Sequence, residues 1–134
     1  MAKKIKVNWL NRSLLVGSYL TLVTSQNEFD QALRDLDLPV EGNPFINSGA
    51  HATTHTYTMV KGSLASIVGL SMESAAKVDP IDVAALLVHE AVHVWQNLED
   101  SAGKMGCFGT EGEAYAIQNI SAQLMDAYAK KLHG

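Results

Sequence analysis

The sequence predicts an α+β fold in which all 134 residues form one domain, with a small antiparallel or mixed sheet packed against helices. Two strand-like runs, 54–60 and 64–71, flank a turn in which Gly62 can take the positive φ of a tight hairpin. The segment 80–98 is apolar on nearly every side, which indicates a buried central helix. The segment 111–132 carries an apolar stripe at helical spacing, which predicts a C-terminal helix.

The N-terminal third supplies further elements of this fold. Residues 5–9 alternate between apolar and polar side chains, and residues 19–24 are rich in β-branched residues, so each predicts a short strand. Ser25 and Glu28 have the spacing of a capping box, which predicts a helix that begins there and ends near Leu36.

Local signals mark a loop and the start of the central helix. Residues 40–50 are rich in glycine, asparagine and proline, which predicts a loop. Asp79 followed by Pro80 is typical of a helix start, with Asp as the N-cap residue and Pro at the first helical position.

Composition excludes several classes of partner. A hydrophobic fraction of 47% and a charged fraction of 18% are typical of a soluble globular protein. The net charge of −4 argues against nucleic acid as the main partner, because no basic stripe is present to displace counterions. No apolar run reaches the roughly 18 residues needed to span a bilayer, so no membrane partner is expected. The single cysteine rules out an intrachain disulfide and fits a reducing compartment, so the cytoplasm is expected.

The sequence LVHEAVHVWQ places three ionisable residues inside the predicted central helix. His89 and His93 are four residues apart, so both imidazoles lie on one helical face and can reach one zinc ion at about 2.0–2.1 Å. Glu90 is close enough to hydrogen-bond a water on that ion, which is the H-E-x-x-H pattern of metalloproteases. The alternative is two core histidines bonded to backbone carbonyls. Gln96 and Gln118 are candidates to orient the ligands.

A catalytic zinc site usually has three protein ligands and one open position. Glu113 lies about 40° from Ile117 on a helical projection, inside the apolar stripe, whereas Glu111 lies about 120° away. Glu113 is therefore the preferred third ligand. The alternative is a second capping box, in which Glu113 bonds the backbone of Thr110. The acidic and thiol groups that follow His93 and are candidates for this role are Glu99, Asp100, Cys107, Glu111 and Glu113.

HEAVH, followed about twenty residues later by EGEAYAIQ, resembles the gluzincin branch of zinc metallopeptidases. HEAVHVWQ together with EAYAIQ is more narrowly similar to short metallopeptidases predicted in phages and prophages, over about residues 54–120. The resemblance implies a zincin-like fold that binds one zinc ion per chain. It further implies that His89, His93 and Glu113 are the ligands and that Glu90 is the general base.

The same resemblance implies an edge strand above the central helix that pairs with the substrate backbone. The run 64–71 is the expected strand, with Ile67, Val68 and Gly69 at its centre. Larger gluzincins also use a Tyr or His to stabilise the oxyanion, and no residue here matches that role by motif. The candidates for this donor are Tyr115, Tyr57, His55 and His51.

These inferences predict a zinc-dependent metallopeptidase that hydrolyses peptide bonds in a peptide or protein substrate. Zinc would activate a water and polarise the carbonyl, and Glu90 would move the proton. The alternative is a catalytically inactive, zinc-stabilised binding or structural module on the same scaffold. A third hypothesis is a protein that binds no metal. If the chain is phage-encoded, the expected location is the host cytoplasm.

Overall fold

The structure is a computed structural model that describes residues 5–10, 18–59, 63–101 and 109–134. Within these ranges the chain forms a mixed α+β fold, as the sequence predicts, and it has three strands and four helices. None of these helices combines the length and apolarity needed to cross a lipid bilayer. The elements in chain order are β1 (Tyr19–Val23), α1 (Gln26–Asp35), β2 (Ala52–Thr58), β3 (Leu64–Leu70), α2 (Met72–Ala75), α3 (Pro80–Ser101) and α4 (Gly109–His133).

The sheet is mixed and has the strand order β1-β3-β2. The predicted hairpin is confirmed, because β2 and β3 pair antiparallel from Ala52↔Leu70 to Thr58↔Leu64. Lys61 and Gly62 of the predicted turn lie outside the described residues, as does Val60 at the end of the predicted first strand. β1 pairs parallel to the other side of β3.

The central position of β3 corrects one prediction. Ile67, Val68 and Gly69 belong to a strand that is paired on both sides and buried along its whole length, so they cannot form a substrate edge strand. A Cβ atom at Gly69 would lie 2.2 Å from the Phe45 carbonyl oxygen, which shows how closely the loop backbone covers this strand. The hairpin pattern predicts which strands pair, but it does not predict that β1 closes the second side of β3.

The predicted strand over residues 5–9 is wrong. Trp9 forms only an isolated antiparallel bridge to Thr21, next to a hydrogen bond of 2.8 Å from the Leu10 amide to the Leu20 carbonyl. The Thr21 hydroxyl donates to the Asn8 carbonyl at 2.7 Å. The alternation therefore identified a half-buried extended segment, but it did not predict that this segment pairs with β1 at only a single bridge.

The helix after β1 begins as predicted. The Ser25 hydroxyl accepts a hydrogen bond of 3.1 Å from the Glu28 amide, and α1 ends at Asp35 with Leu36 as its C-cap. The return bond of a capping box is displaced by one residue, because the Glu28 carboxylate accepts the Thr24 amide at 2.9 Å.

The sheet lies between two helical layers. Period-2 alternation sends neighbouring residues of β3 to opposite faces, so that Val68 and Leu70 pack toward α3 and α4 while Ala65 and Ile67 pack toward α1. The buried side chains that α1 contributes are Phe29, Ala32 and Leu33. The larger layer is formed by α3 and α4, and its buried side chains include Leu87, Ala91, Val94, Ile120 and Leu124.

An ion pair between Glu28 and Lys131 joins the start of α1 to the end of α4. Burial raises the pKa of Glu28, but the hydrogen bonds from Lys131 and Thr24 together lower this pKa by more, so the net pKa lies below the ordinary value of 4.5. Because the folded-state pKa is the lower one, this stabilisation is complete above pH 4.5 and is lost as the pH falls through the folded pKa.

We expect Glu28→Gln to cost about 1–2 kcal/mol of unfolding free energy at pH 7 and progressively less below pH 4.5. Urea unfolding of both proteins at pH 7 and pH 3 measures the difference. Glu73→Gln is the control, since Glu73 is exposed and pairs with exposed Lys77. A cost for Glu28→Gln that is equally large at both pH values would contradict the assignment.

Candidate metal centre

The central helix begins where the sequence predicts and buries only one side. The Asp79 carboxylate accepts the Ile81 amide at 2.8 Å, which caps the start of α3. The sheet and α4 cover the side whose buried residues are Val83, Leu87, Glu90, Ala91, Val94 and Trp95. The prediction that this segment is buried on nearly every side is therefore wrong, because one side of the helix has no covering layer among the described residues.

His89 and His93 lie on the uncovered side of α3, one turn apart. Their Nε2 atoms are 3.1 Å apart, and the His89 side chain is 65% exposed. His93 Nδ1 contacts Gln96 Oε1 at 3.2 Å; with Nδ1 as the donor, Nε2 keeps its lone pair for a metal. This geometry excludes the alternative of two core histidines bonded to backbone carbonyls. Gln118 lies exposed on α4.

Glu90 lies at the boundary between the covered and uncovered sides of α3. It is only 4% exposed, and its Oε1 accepts a hydrogen bond of 3.0 Å from the Thr54 hydroxyl of β2. Its Oε2 lies 4.0 Å from His89 Nε2. One ligand atom from each of Glu90, His89 and His93 lies within 4.8 Å of the other two, so this group can hold a metal ion.

Glu113 does not belong to this group. It lies in the first turns of α4 and is exposed. On a helical projection Glu113 is about 60° from Ala116 and lies between Ala116 and Ile117, so it is on the side of α4 that packs, but before the buried residues begin. Glu113 thus lies on the predicted side of α4, but it is exposed and not buried as the prediction implies. Its role as third ligand stays a prediction. Cys107 lies outside the described residues.

The predicted oxyanion donors do not gather at this centre. His55 and Tyr57 pair with Ile67 and Ala65, so they lie on the face of the sheet that packs against α1. His55 Nε2 contacts the Phe45 carbonyl at 2.9 Å. Predictions that place either side chain beside Glu90 are wrong, because alternation sends every second residue of β2 away from α3.

The remaining two donor candidates also lie elsewhere. Tyr115 is 59% exposed and about 140° from Ile120 on the projection of α4, so it lies on the outward side of that helix. His51 precedes β2 and borders a separate, mostly apolar pocket with Leu70 and Val83. Neither residue lines the cleft that contains Glu90.

An open cleft of about 290 Å³ runs between β2 and α3 at the metal group. β2 is an edge strand of the sheet, and no described residue pairs with its outer side. Thr56 lies on the face of β2 that meets α3, and it accepts a hydrogen bond of 2.7 Å from Asn97 Nδ2. This bond connects β2 to α3. The residues that line the cleft are Asn47, Ala50, Ala52, Thr53, Thr54, His89, Glu90, His93 and Asn97.

Sequence reasoning did not identify Thr54 or Asn97. Asn97 follows His93 by four residues, so helical spacing alone could have placed it on the same face. Thr54 alternates with His55, so strand periodicity could have placed it on the face opposite His55. Its contact with Glu90, 36 residues away, has no signal in the sequence.

The resemblance to gluzincins is carried by two short motifs, of which HEAVH forms the observed group and EGEAYAIQ opens α4. It stays a prediction that rests on those residues. Comparison of the chain with protein-family models, with curated proteins and with solved structures found no match.

Proposed function

We propose that this protein is a zinc-dependent metallopeptidase with a zincin-like arrangement of helix and edge strand. One observation carries the proposal: two exposed imidazoles, whose Nε2 atoms are 3.1 Å apart, lie next to the buried carboxylate of Glu90 beside an open cleft. Two nitrogen ligands of a tetrahedral zinc ion are about 3.3 Å apart when each lies about 2.0–2.1 Å from the metal. The donor set therefore fits zinc.

His89 and His93 would hold the ion, and Glu113 is the proposed third ligand. When bound, zinc supplies a Lewis acid that polarises a carbonyl and activates a water. Glu90 would take the proton from the attacking water and give it to the departing amine. The outer edge of β2 at Ala52–Thr54 borders the cleft, so its free backbone groups are placed to pair with an extended peptide.

A zinc-stabilised binding module is the second candidate function. The absence of His55 and Tyr57 from the cleft favours it, because a binding module does not need an oxyanion donor. A buried carboxylate beside the histidines favours the enzyme, since a structural site does not need a proton acceptor at that position.

Metal content and metal-dependent cleavage separate the two candidates. We expect purified protein to hold about one zinc per chain by elemental analysis and to cleave members of a mixed peptide library, as detected by mass spectrometry. A chelator should stop cleavage, and added zinc should restore it. Zinc at one per chain without cleavage would identify the binding module, and failure to bind added zinc would end both.

A further inference from the structure

The two oxygens of Glu90 have different surroundings. Oε1 is held by the Thr54 hydroxyl at 3.0 Å, whereas Oε2 points toward the histidines and lies 4.0 Å from His89 Nε2. Glu90 is the only buried acidic residue among those that the structure describes. Its carboxylate is thus anchored at one end by β2 and is open to the cleft at the other.

In this arrangement Glu90 Oε2 lies farther from His89 Nε2 than two ligand atoms of one zinc ion would lie from each other. Ligand atoms of a tetrahedral zinc ion are about 3.3 Å apart. The two Nε2 atoms match that spacing at 3.1 Å, whereas Oε2 exceeds it at 4.0 Å. All three groups nonetheless lie within 4.8 Å of one another, so a small rotation of an unanchored Glu90 would make it a ligand. A carboxylate bound to the metal has lost its freedom to accept a proton.

Thr54 is well placed to prevent that rotation. It lies on the face of β2 that meets α3, and its β-branched side chain has restricted χ1 freedom. The strand itself is held by its antiparallel pairing with β3, in which Thr54 lies opposite Val68. The hydroxyl that restrains Glu90 therefore projects from a position that the sheet fixes.

We propose that Thr54 is a positioning residue that keeps Glu90 out of the coordination sphere of the metal, so that its carboxylate acts as a base and not as a ligand. The expected effect on catalysis rests on the proposed function. The expected effect on metal coordination rests only on metal binding at this site. Thr54→Val removes the hydroxyl and keeps the shape of the side chain. Thr54→Ser keeps the hydroxyl.

The test uses cobalt(II), whose visible absorption reports the number and type of its ligands. Cobalt-loaded wild type and Glu90→Gln should have the same spectrum, because the side chain at position 90 is not a ligand in either protein. Thr54→Val should differ from wild type, and the double variant Thr54→Val/Glu90→Gln should return to the wild-type spectrum. Thr56→Val is the matched control, since it removes the other bond between β2 and α3 and should keep the wild-type spectrum.

Peptide cleavage supplies the second measurement. Thr54→Val should lower kcat by about 10- to 100-fold with KM within about twofold, because the base is misplaced and the substrate contacts remain. Thr54→Ser should restore kcat to within about threefold of wild type. An unchanged spectrum and kcat in Thr54→Val would overturn the inference, as would an equal spectral change in Thr56→Val. If wild type binds cobalt and cleaves nothing, the peptidase proposal fails while the spectra still decide the role of Thr54; if it binds no cobalt, both fail.

Discussion

Replacement of Glu90 by glutamine is expected to abolish peptide cleavage and to leave metal binding intact. An amide has nearly the size of the carboxylate and can still accept the Thr54 hydrogen bond, but it cannot take a proton from water. Loss of a general base typically costs 10²- to 10⁴-fold in rate, so we expect kcat/KM to fall by about 10³-fold or more. Measurement of kcat/KM together with zinc per chain tests both parts of this expectation.

Glu99→Gln is the matched control for this experiment. Glu99 also lies on α3, but it does not belong to the metal group and does not line the cleft. It should keep both zinc and activity. Full activity in Glu90→Gln would show that another group moves the proton, and loss of zinc in Glu90→Gln would show that Glu90 is a ligand.

His89→Ala and His93→Ala are each expected to weaken zinc binding by more than about 100-fold. The loss should exceed the 10- to 100-fold typical of residues that only orient a ligand, a class that Gln96 represents here. Because both histidines are exposed, the metal-free variants should unfold within about 0.5 kcal/mol of wild type. Competition with a chromophoric chelator measures the affinity, and urea unfolding in the presence of a chelator measures the stability.

His133→Ala, exposed at the end of α4, is the control and should bind zinc as wild type does. The pair Glu113→Ala and Glu111→Ala extends the series to the third ligand. Only Glu113→Ala should reduce zinc affinity, since Glu111 lies on the other side of α4 from Ala116. Equal affinities in this pair would remove Glu113 from the ligand set, whereas tight binding by His89→Ala would remove the whole site.

The residues of the metal group could be predicted from sequence because their relation is local. His89 and His93 share a face of any helix that contains both, and Asp79 with Pro80 marks where that helix begins. The same kind of short-range rule found the Ser25 cap and the hairpin of β2 and β3. In each case the deciding interactions span only a few residues.

The tertiary structure alone decided how those pieces face one another. The layers that cover α3 expose the histidines and bury Glu90, and the parallel pairing of β1 with β3 leaves β2 as the strand beside the cleft. The choice of β2 faces brings Thr54 to Glu90 and sends His55 to the opposite side of the sheet. Strand order and the packing of layers depend on contacts between residues far apart in the chain, which helical and strand periodicities do not encode. The sequence therefore identified the side chains of the candidate metal group, and packing determined that Glu90 is the one that is buried.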